Sequence, residues 1–201
     1  MKKILFKALY VVLKALVWLT TFIFFRITAR GRENIPKKGP FIIVANHSSY
    51  LDPIAVQMVF SQKISWVTKK EVYNIKLIRP IHHICRSIVV NGAVDAAIDA
   101  LNEGRVVGVF PEGGRSRDGK LRSGDVGAAI MALKTGMQVL PIGIKGAYEA
   151  YGAHMKRPRA HPIDINIGKS FSFDRVDKEK IESSVLQEKK ERIIRKIGEL
   201  L

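Results

Sequence analysis

Short apolar runs alternate with longer segments of helical periodicity along most of this chain. The runs are rich in Val and Ile, which is typical of buried strands, and they lie at residues 41–45, 64–67, 87–90, 106–110, 139–144 and 163–167. Between and after them, helices are predicted at residues 52–61, 70–78, 93–103 and 124–135 and, as an amphipathic terminal helix, from Asp177 onward. This alternation predicts an α/β domain with a mixed, largely parallel sheet flanked by helices.

Local signals place several helix ends. Asp52 is followed by Pro53, and this pair is typical of an N-cap with proline at the first helical position. Because a residue before proline avoids the α region, the segment between the first strand and Asp52 is predicted to be a loop. Ser123 is the predicted N-cap of the fourth helix, and Gly104 and Gly136 lie where C-caps are expected.

The start of the chain has a different pattern. The segment from Ile4 to Phe25 is strongly apolar, and residues 15–25 contain no charged side chain. A bilayer span needs about 20 predominantly apolar residues, so this stretch is borderline for crossing. Lys and Arg on both flanks can extend to lipid headgroups. We expect residues 1–30 to form a membrane-anchoring helical segment in one leaflet, at the cytoplasmic face of the cell membrane, with the α/β domain over residues 31–201.

The formal charge of +16 indicates that the protein binds negatively charged partners. Basic surfaces attract nucleic acid, anionic lipid headgroups or acidic proteins. Nucleic acid is not expected, since the basic residues are not interleaved with aromatic ones and no nucleic-acid-binding motif appears. The single Cys85 excludes an internal disulfide and fits a cytoplasmic setting. His82 and His83 lack further ligands at useful spacing, so we expect no metal and no other cofactor.

Candidate chemistry begins at the end of the first strand. His47 follows this strand and Asp52 lies five positions later, at the start of a predicted helix. A neutral imidazole held by a carboxylate is a general base at pH 7. A loop histidine beside a helix-capping aspartate is the alternative interpretation. The catalytic interpretation of the pair therefore needs support from a second group of polar residues at the same edge of the sheet.

That second group follows the strand at residues 106–110. Glu112, Gly113 and Arg115 come directly after it, and ligand crevices of α/β sheets form at the carboxyl ends of strands. Glycine allows close backbone approach, and the planar guanidinium of Arg115 suits phosphate. Glu112 is expected either to hydrogen-bond an acceptor hydroxyl or to support the arginine. An exposed basic turn is the alternative for residues 115–122.

Together, residues 46–52 and 110–116 resemble the N-H-x-x-x-x-D and F-P-E-G-T-R-S motifs of the glycerolipid acyltransferases, and residues 139–144 resemble the family's apolar strand with an embedded proline. The resemblance covers roughly residues 35–150. It implies acyl transfer from an acidic donor, acyl-carrier protein or acyl-CoA, to the free sn-2 hydroxyl of lysophosphatidic acid, a lysophospholipid acceptor in the membrane. The anionic membrane surface is the third expected partner.

The resemblance also implies residue roles. His47 would take the hydroxyl proton and Asp52 would fix the imidazole tautomer, so no serine nucleophile is required. The expected substrate-binding residues come from the two motifs and from a basic stretch between them: Asn46, Glu112, Gly113, Arg115, Ser116, Lys69, Lys70 and Arg86.

Two departures from the family pattern affect the choice of acceptor. Gly114 stands where the family has threonine, and Ile88-Val89-Val90-Asn91 lacks the Asp-Arg pair that ends the corresponding block. In the family this block is linked to acceptor binding. Glycerol 3-phosphate or a lyso-aminolipid therefore stays an alternative acceptor. A non-enzymatic basic membrane or nucleic-acid-binding protein is the alternative of another class.

Overall fold

The computed structural model describes residues 23–73, 87–90, 94–177 and 181–201. Its centre is a seven-stranded sheet with the order β1-β7-β6-β2-β5-β3-β4. Neighbouring strands are parallel, except that β6 and β7 are antiparallel. The predicted mixed, largely parallel sheet is confirmed. Its strands are β1 Thr28–Arg30, β2 Ile42–Ala45, β3 Ile64–Lys69, β4 Ile88–Val90, β5 Val106–Val109, β6 Val139–Lys145 and β7 Asp164–Ile167.

Helices cover both faces of the sheet, and each face has its own apolar core. On β2, Ile43 and Ala45 point into the core under α1 and α5, whereas Ile42 and Val44 point into the core under α3, α4 and α6. Both β2 faces are completely buried, which explains its uninterrupted apolar run. The helices are α1 Asp52–Val59, α2 Lys70–Tyr73, α3 Asp95–Asn102, α4 Gly127–Thr135, α5 Ala147–Tyr151 and α6 Ser183–Gly198.

Most predicted elements are present, with shifts at their ends. Helix α4 begins at Gly127, and Val126 occupies the N-cap position without a side-chain bond, so the predicted cap at Ser123 is wrong. Gly136 is the C-cap of α4, in the left-handed conformation with φ of 65°, as predicted. Gly104 follows the C-cap of α3 instead of occupying it. The last helix starts at residue 183, and the predicted residues 74–78 of the second helix lie outside the described ranges.

The first described residues already belong to the domain. Phe25 and Ile27 are buried in the core under α1, and β1 pairs with β7. The sheet therefore includes residues that precede the predicted domain start at 31. Within the described ranges, no helix has the length and apolar character to cross a bilayer. Residues 1–22 lie outside those ranges, so the membrane-anchoring segment stays a prediction there, whereas residues 28–30 of the predicted segment form strand β1.

Candidate active site

His47 and Asp52 meet just beyond the carboxyl end of β2. Nδ1 of His47 lies 2.7 Å from Oδ2 of Asp52. The aspartate side chain is fully buried, whereas 17% of the histidine side chain is exposed. A carboxylate only accepts hydrogen bonds, so Nδ1 carries the proton and Nε2 keeps its lone pair. Nε2 bonds no described residue, so it is the ring nitrogen placed to take a proton from a bound molecule.

Asp52 does not cap helix α1. Its Oδ2 accepts the backbone N–H groups of Ser48 and Ser49, at 2.7 and 2.8 Å, in addition to the imidazole. Leu51 occupies the N-cap position, and no side chain caps the helix. The predicted cap is wrong because the loop curls back over the carboxylate and brings three N–H groups onto one oxygen. The other oxygen, Oδ1, is buried and has no partner among the described residues.

The loop after β5 holds the backbone of His47 from two sides. Oε1 of Glu112 accepts the His47 N–H at 2.7 Å, and the His47 carbonyl accepts the Ser116 N–H at 2.7 Å. These two hydrogen bonds connect the motif at residues 46–52 to the motif at residues 110–116, which follow the adjacent strands β2 and β5. The position of the imidazole therefore depends on both motifs.

Glu112 is a buried support for His47, and its second oxygen is engaged as well. Oε2 accepts the backbone N–H of Arg122 at 3.2 Å and the Nε–H of its guanidinium at 3.4 Å. The same guanidinium donates to the carbonyl oxygens of Glu112 and Gly114. Of the two predicted roles of Glu112, the structure supports the arginine contact, but with Arg122 instead of Arg115. Sequence reasoning grouped Arg122 with an exposed basic turn and missed it.

Burial raises the pKa of the Glu112 carboxyl above its ordinary value of 4.5, although the His47 N–H and Arg122 act in the opposite direction. The folded protein thus binds a proton that the unfolded chain releases near pH 4.5. The free energy of unfolding is therefore expected to fall as pH rises from 4.5 through the raised pKa of Glu112. Urea unfolding of the wild type and Glu112→Gln across pH 4–8 checks this. The wild-type free energy of unfolding should decline relative to the variant, and a constant difference would contradict the assignment.

Three aromatic rings form a continuous stack at this edge of the sheet. The His47 imidazole lies 4.0 Å from the Phe110 ring at 15°, and Phe110 lies 4.6 Å from Trp66 at 5°. Trp66 is on β3 and Phe110 directly follows β5, so the stack crosses neighbouring strands. The stack covers one face of the imidazole, and 17% of the histidine side chain stays exposed. Sequence reasoning missed both Trp66 and the role of Phe110.

Gly108→Ala is expected to disturb this stack. A Cβ at Gly108 would lie 2.6 Å from the Trp66 ring and 2.8 Å from Ile64, both closer than real contacts. Overpacking of this kind costs about 1–3 kcal/mol of stability, and displacing Trp66 should also lower activity through Phe110. Gly114→Ala is the matched stability control, since among the described residues its Cβ would meet only the Arg122 guanidinium, at 3.9 Å. Equal stability of the two variants in urea would refute this prediction.

Two other predicted binding residues have structural contacts. The Asn46 amide donates to the Ile144 carbonyl at 2.9 Å and accepts the Ile144 N–H at 2.7 Å. This buried side chain ties the end of β2 to β6, which corrects its predicted substrate contact. The Ser116 hydroxyl donates to Asp118 at 2.7 Å, and this bond lowers the pKa of the Asp118 carboxyl. Ser116 therefore shapes the loop through its side chain and holds His47 through its N–H.

Of the remaining predicted residues, Lys69 and Arg115 lie at the loop after β5 and are called the basic rim below. Gly113 has φ of 66°, and a Cβ there would lie 2.8 Å from Oδ2 of Asp125 and 3.9 Å from the ammonium nitrogen of Lys69. Both the lysine at the end of β3 and this aspartate therefore border the loop. Lys70 is exposed at the start of α2. Arg115 stacks on Tyr50, which sequence reasoning did not select. Arg86 lies outside the described residues, as do Cys85 and the His82-His83 pair.

A family model described as acyltransferase matches residues 26–145, which include both motifs and the strands that carry them. The chain belongs to the acyltransferase family. A 1-acyl-sn-glycerol-3-phosphate acyltransferase of Borreliella burgdorferi is 35% identical over 125 residues, covering 58% of this chain and 50% of that protein. One of Bacillus subtilis is 32% identical over 109 residues, covering 50% of this chain and 55% of that protein.

A solved structure supports the same acyltransferase fold. The crystal structure of the 1-acyl-sn-glycerophosphate (LPA) acyltransferase PlsC from Thermotoga maritima matches with a TM-score of 0.69 at 29% identity, covering 87% of this chain and 71% of that chain. The two relatives above are matched over about half of their length. Among the described residues, no cluster of three or more His, Cys, Asp and Glu side chains is placed to hold a metal ion.

Proposed function

We propose that this protein transfers an acyl group from a thioester to the free sn-2 hydroxyl of lysophosphatidic acid, giving phosphatidic acid. The observation that carries the proposal is the His47–Asp52 pair, bonded at 2.7 Å and fastened through the His47 backbone to Glu112. This arrangement supplies a general base at a fixed place. The names of the relatives from Borreliella burgdorferi and Thermotoga maritima support the choice of acceptor.

In the proposed reaction, Nε2 of His47 takes the proton of the acceptor hydroxyl. The hydroxyl oxygen attacks the thioester carbonyl carbon, and the carbon–sulfur bond then breaks. The imidazolium returns its proton to the leaving thiolate, so the enzyme ends in its starting state. Asp52 stabilises the imidazolium through its negative charge and fixes the ring orientation. Because the acceptor hydroxyl is itself the nucleophile, the reaction needs no acyl-serine intermediate.

The basic rim supports an anionic acceptor and an acidic donor. Arg115 belongs to the same loop as Glu112, which bonds the His47 backbone, and is the proposed ligand of the acceptor phosphate. Lys69 borders this loop at Gly113. Acyl-carrier protein and coenzyme A are both acidic, so either is attracted to this face by long-range electrostatics.

A second basic segment supports a membrane surface as partner. Residues 153–161 contain Lys156, Arg157 and Arg159, all exposed, and no acidic residue. The segment begins next to the catalytic loop, because Ser49 forms a β-bridge with Gly152. It ends near the start of the described chain, where the Ile163 N–H donates to the carbonyl of Phe25. Ile23 and Phe24 are exposed there, so apolar and basic groups share one edge. We propose that this edge faces the cytoplasmic side of the cell membrane.

The test is an acceptor panel with one labelled acyl donor and the purified full-length protein. Lysophosphatidate, glycerol 3-phosphate and a lyso-aminolipid are compared, since the sequence departure at Ile88–Asn91 favours keeping the last two as second candidates. Transfer to lysophosphatidate is expected to be fastest. Transfer to another acceptor with none to lysophosphatidate would overturn the proposal. With acyl-carrier protein as donor, kcat/KM is also expected to fall as ionic strength rises.

A further inference from the structure

Tyr50 lies in the variable part of the N-H-x-x-x-x-D motif and contacts the proposed phosphate ligand. The Arg115 guanidinium carbon lies 3.5 Å from the centre of the Tyr50 ring. A guanidinium over an aromatic face is attracted by the ring quadrupole, and arginine also stacks on aromatic faces through its plane. The contact joins the two motifs through their side chains, in addition to the backbone bonds that hold His47.

The loop that carries the Tyr50 ring is itself held in place. Its neighbour Ser49 donates a hydroxyl hydrogen bond to the Tyr151 carbonyl at 2.8 Å, and Leu51 N–H donates back to the Ser49 hydroxyl at 3.1 Å. The Tyr151 ring lies 6.2 Å from the Tyr50 ring. Tyr50 is therefore supported from helix α5, although 37% of its surface is exposed. It offers Arg115 a platform at the mouth of the site.

The stacking leaves the hydrogen-bonding capacity of Arg115 unused. The ring contacts the face of the guanidinium, whereas the N–H groups lie along its edge. None of these N–H groups donates to a described residue, and Arg115 forms no ion pair with a described carboxylate. In contrast, the nearby Arg122 donates to Glu112 and to the Gly114 carbonyl. Of these two loop arginines, Arg115 is the one with its donors available for an anion.

We infer that Tyr50 is a positioning residue that holds Arg115 with its N–H edge directed at the phosphate of the acceptor. The inference rests on the proposed function, because it names the contact that supports phosphate recognition there. The chemistry recognised is a phosphate monoester on a glycerol backbone. Preorganising a flexible arginine lowers the ordering cost of binding, so the effect falls on acceptor affinity and not on the proton transfer at His47.

The test compares Tyr50→Leu, which removes the ring, with Tyr50→Phe, which keeps it. Tyr50→Leu is expected to raise the KM for lysophosphatidate about 3- to 20-fold with kcat nearly unchanged. Tyr50→Phe is expected to behave as wild type, since the Tyr50 hydroxyl bonds no described residue. A fall in kcat with an unchanged KM would indicate a structural role in the His47 loop and would overturn the inference. An unchanged or lower KM for Tyr50→Leu would do the same.

A double-mutant cycle isolates the contact. In an Arg115→Ala background, Tyr50→Leu should change KM less than about twofold, because the group it positions is gone. Full additivity would contradict the inference. Equilibrium binding of lysophosphatidate in detergent micelles provides a readout independent of turnover. A wild type that binds lysophosphatidate without acylating it would overturn the proposed function alone. A Tyr50→Leu protein that binds as tightly as wild type would overturn the role of Tyr50 alone.

Discussion

His47→Ala is expected to lower kcat for acyl transfer about 10²- to 10⁴-fold, the usual contribution of a positioned general base. The His47 imidazole is partly exposed, its Nδ1–H donates to Asp52 at 2.7 Å, and its Nε2 bonds no described residue. No other described histidine is hydrogen-bonded to Asp52. The loss should appear in single-turnover measurements with a labelled thioester, since these report chemistry directly.

The effect should be specific to this histidine. His154→Ala is the matched control, because His154 is exposed and its ring lies near Tyr148 of helix α5 instead of on Phe110. It should retain activity. His154→Ala should unfold at nearly the wild-type temperature. His47→Ala should stay folded but unfold at a lower temperature, because it loses the stack on Phe110 and one of the three hydrogen bonds to the buried Asp52 carboxylate. Turnover by purified His47→Ala at the wild-type rate would exclude the general-base role.

Two substitutions of Asp52 are expected to distinguish its contribution to stability from its contribution to catalysis. Asp52→Ala removes the acceptor of three N–H groups and leaves those of Ser48 and Ser49 buried without a partner. Each such group costs about 1–3 kcal/mol, so a loss of several kcal/mol in the free energy of unfolding is expected. Asp52→Asn retains an oxygen at the same place and should preserve most of the stability. It removes the charge that stabilises the imidazolium.

Activity should be low in both Asp52 variants, by about 10²-fold or more, because neither carries the negative charge beside Nδ1. Urea unfolding and single-turnover kinetics on the same preparations check the two effects. If Asp52→Asn were as active as wild type, Asp52 would act only as a loop anchor. If Asp52→Ala were as stable as Asp52→Asn, the three hydrogen bonds to Oδ2 would contribute little to the free energy of unfolding.

The alternation of apolar runs was sufficient to predict six of the seven strands of the described sheet and most of the flanking helices. It failed for β1 and α5, which span three and five residues. Strand β1 has the sequence Thr-Ala-Arg and lacks the Val- and Ile-rich run that marks the other strands, including the equally short β4. Helix α5 spans too few positions to show helical periodicity. Ser123 failed as a cap for another reason. Capping propensity is a local signal, whereas the start of α4 at Gly127 is set by the loop that carries Arg122 to Glu112.

The His47–Asp52 pair was predictable because both residues lie in one short loop, where spacing alone limits their separation. The surroundings of the pair were not. The Arg122 contact to Glu112, the Tyr50 contact to Arg115 and the stack of His47 on Phe110 all depend on how separate loops fold over each other. The motifs indicated which loops meet. Only the structure shows that Glu112 supports the backbone of His47 and that Asn46 ties β2 to β6.

The bond between the His47 N–H and Glu112 joins residues that are 65 positions apart in the chain. It exists only when β2 and β5 lie side by side at the centre of the sheet, after α1, β3 and the intervening segments have been placed. Contacts of such long sequence separation form late and slowly, because loop-closure entropy must be overcome first. During refolding, acyl-transfer activity should therefore recover later than the helical circular dichroism signal. The rate at which activity recovers would then report the rate at which β2 and β5 come together.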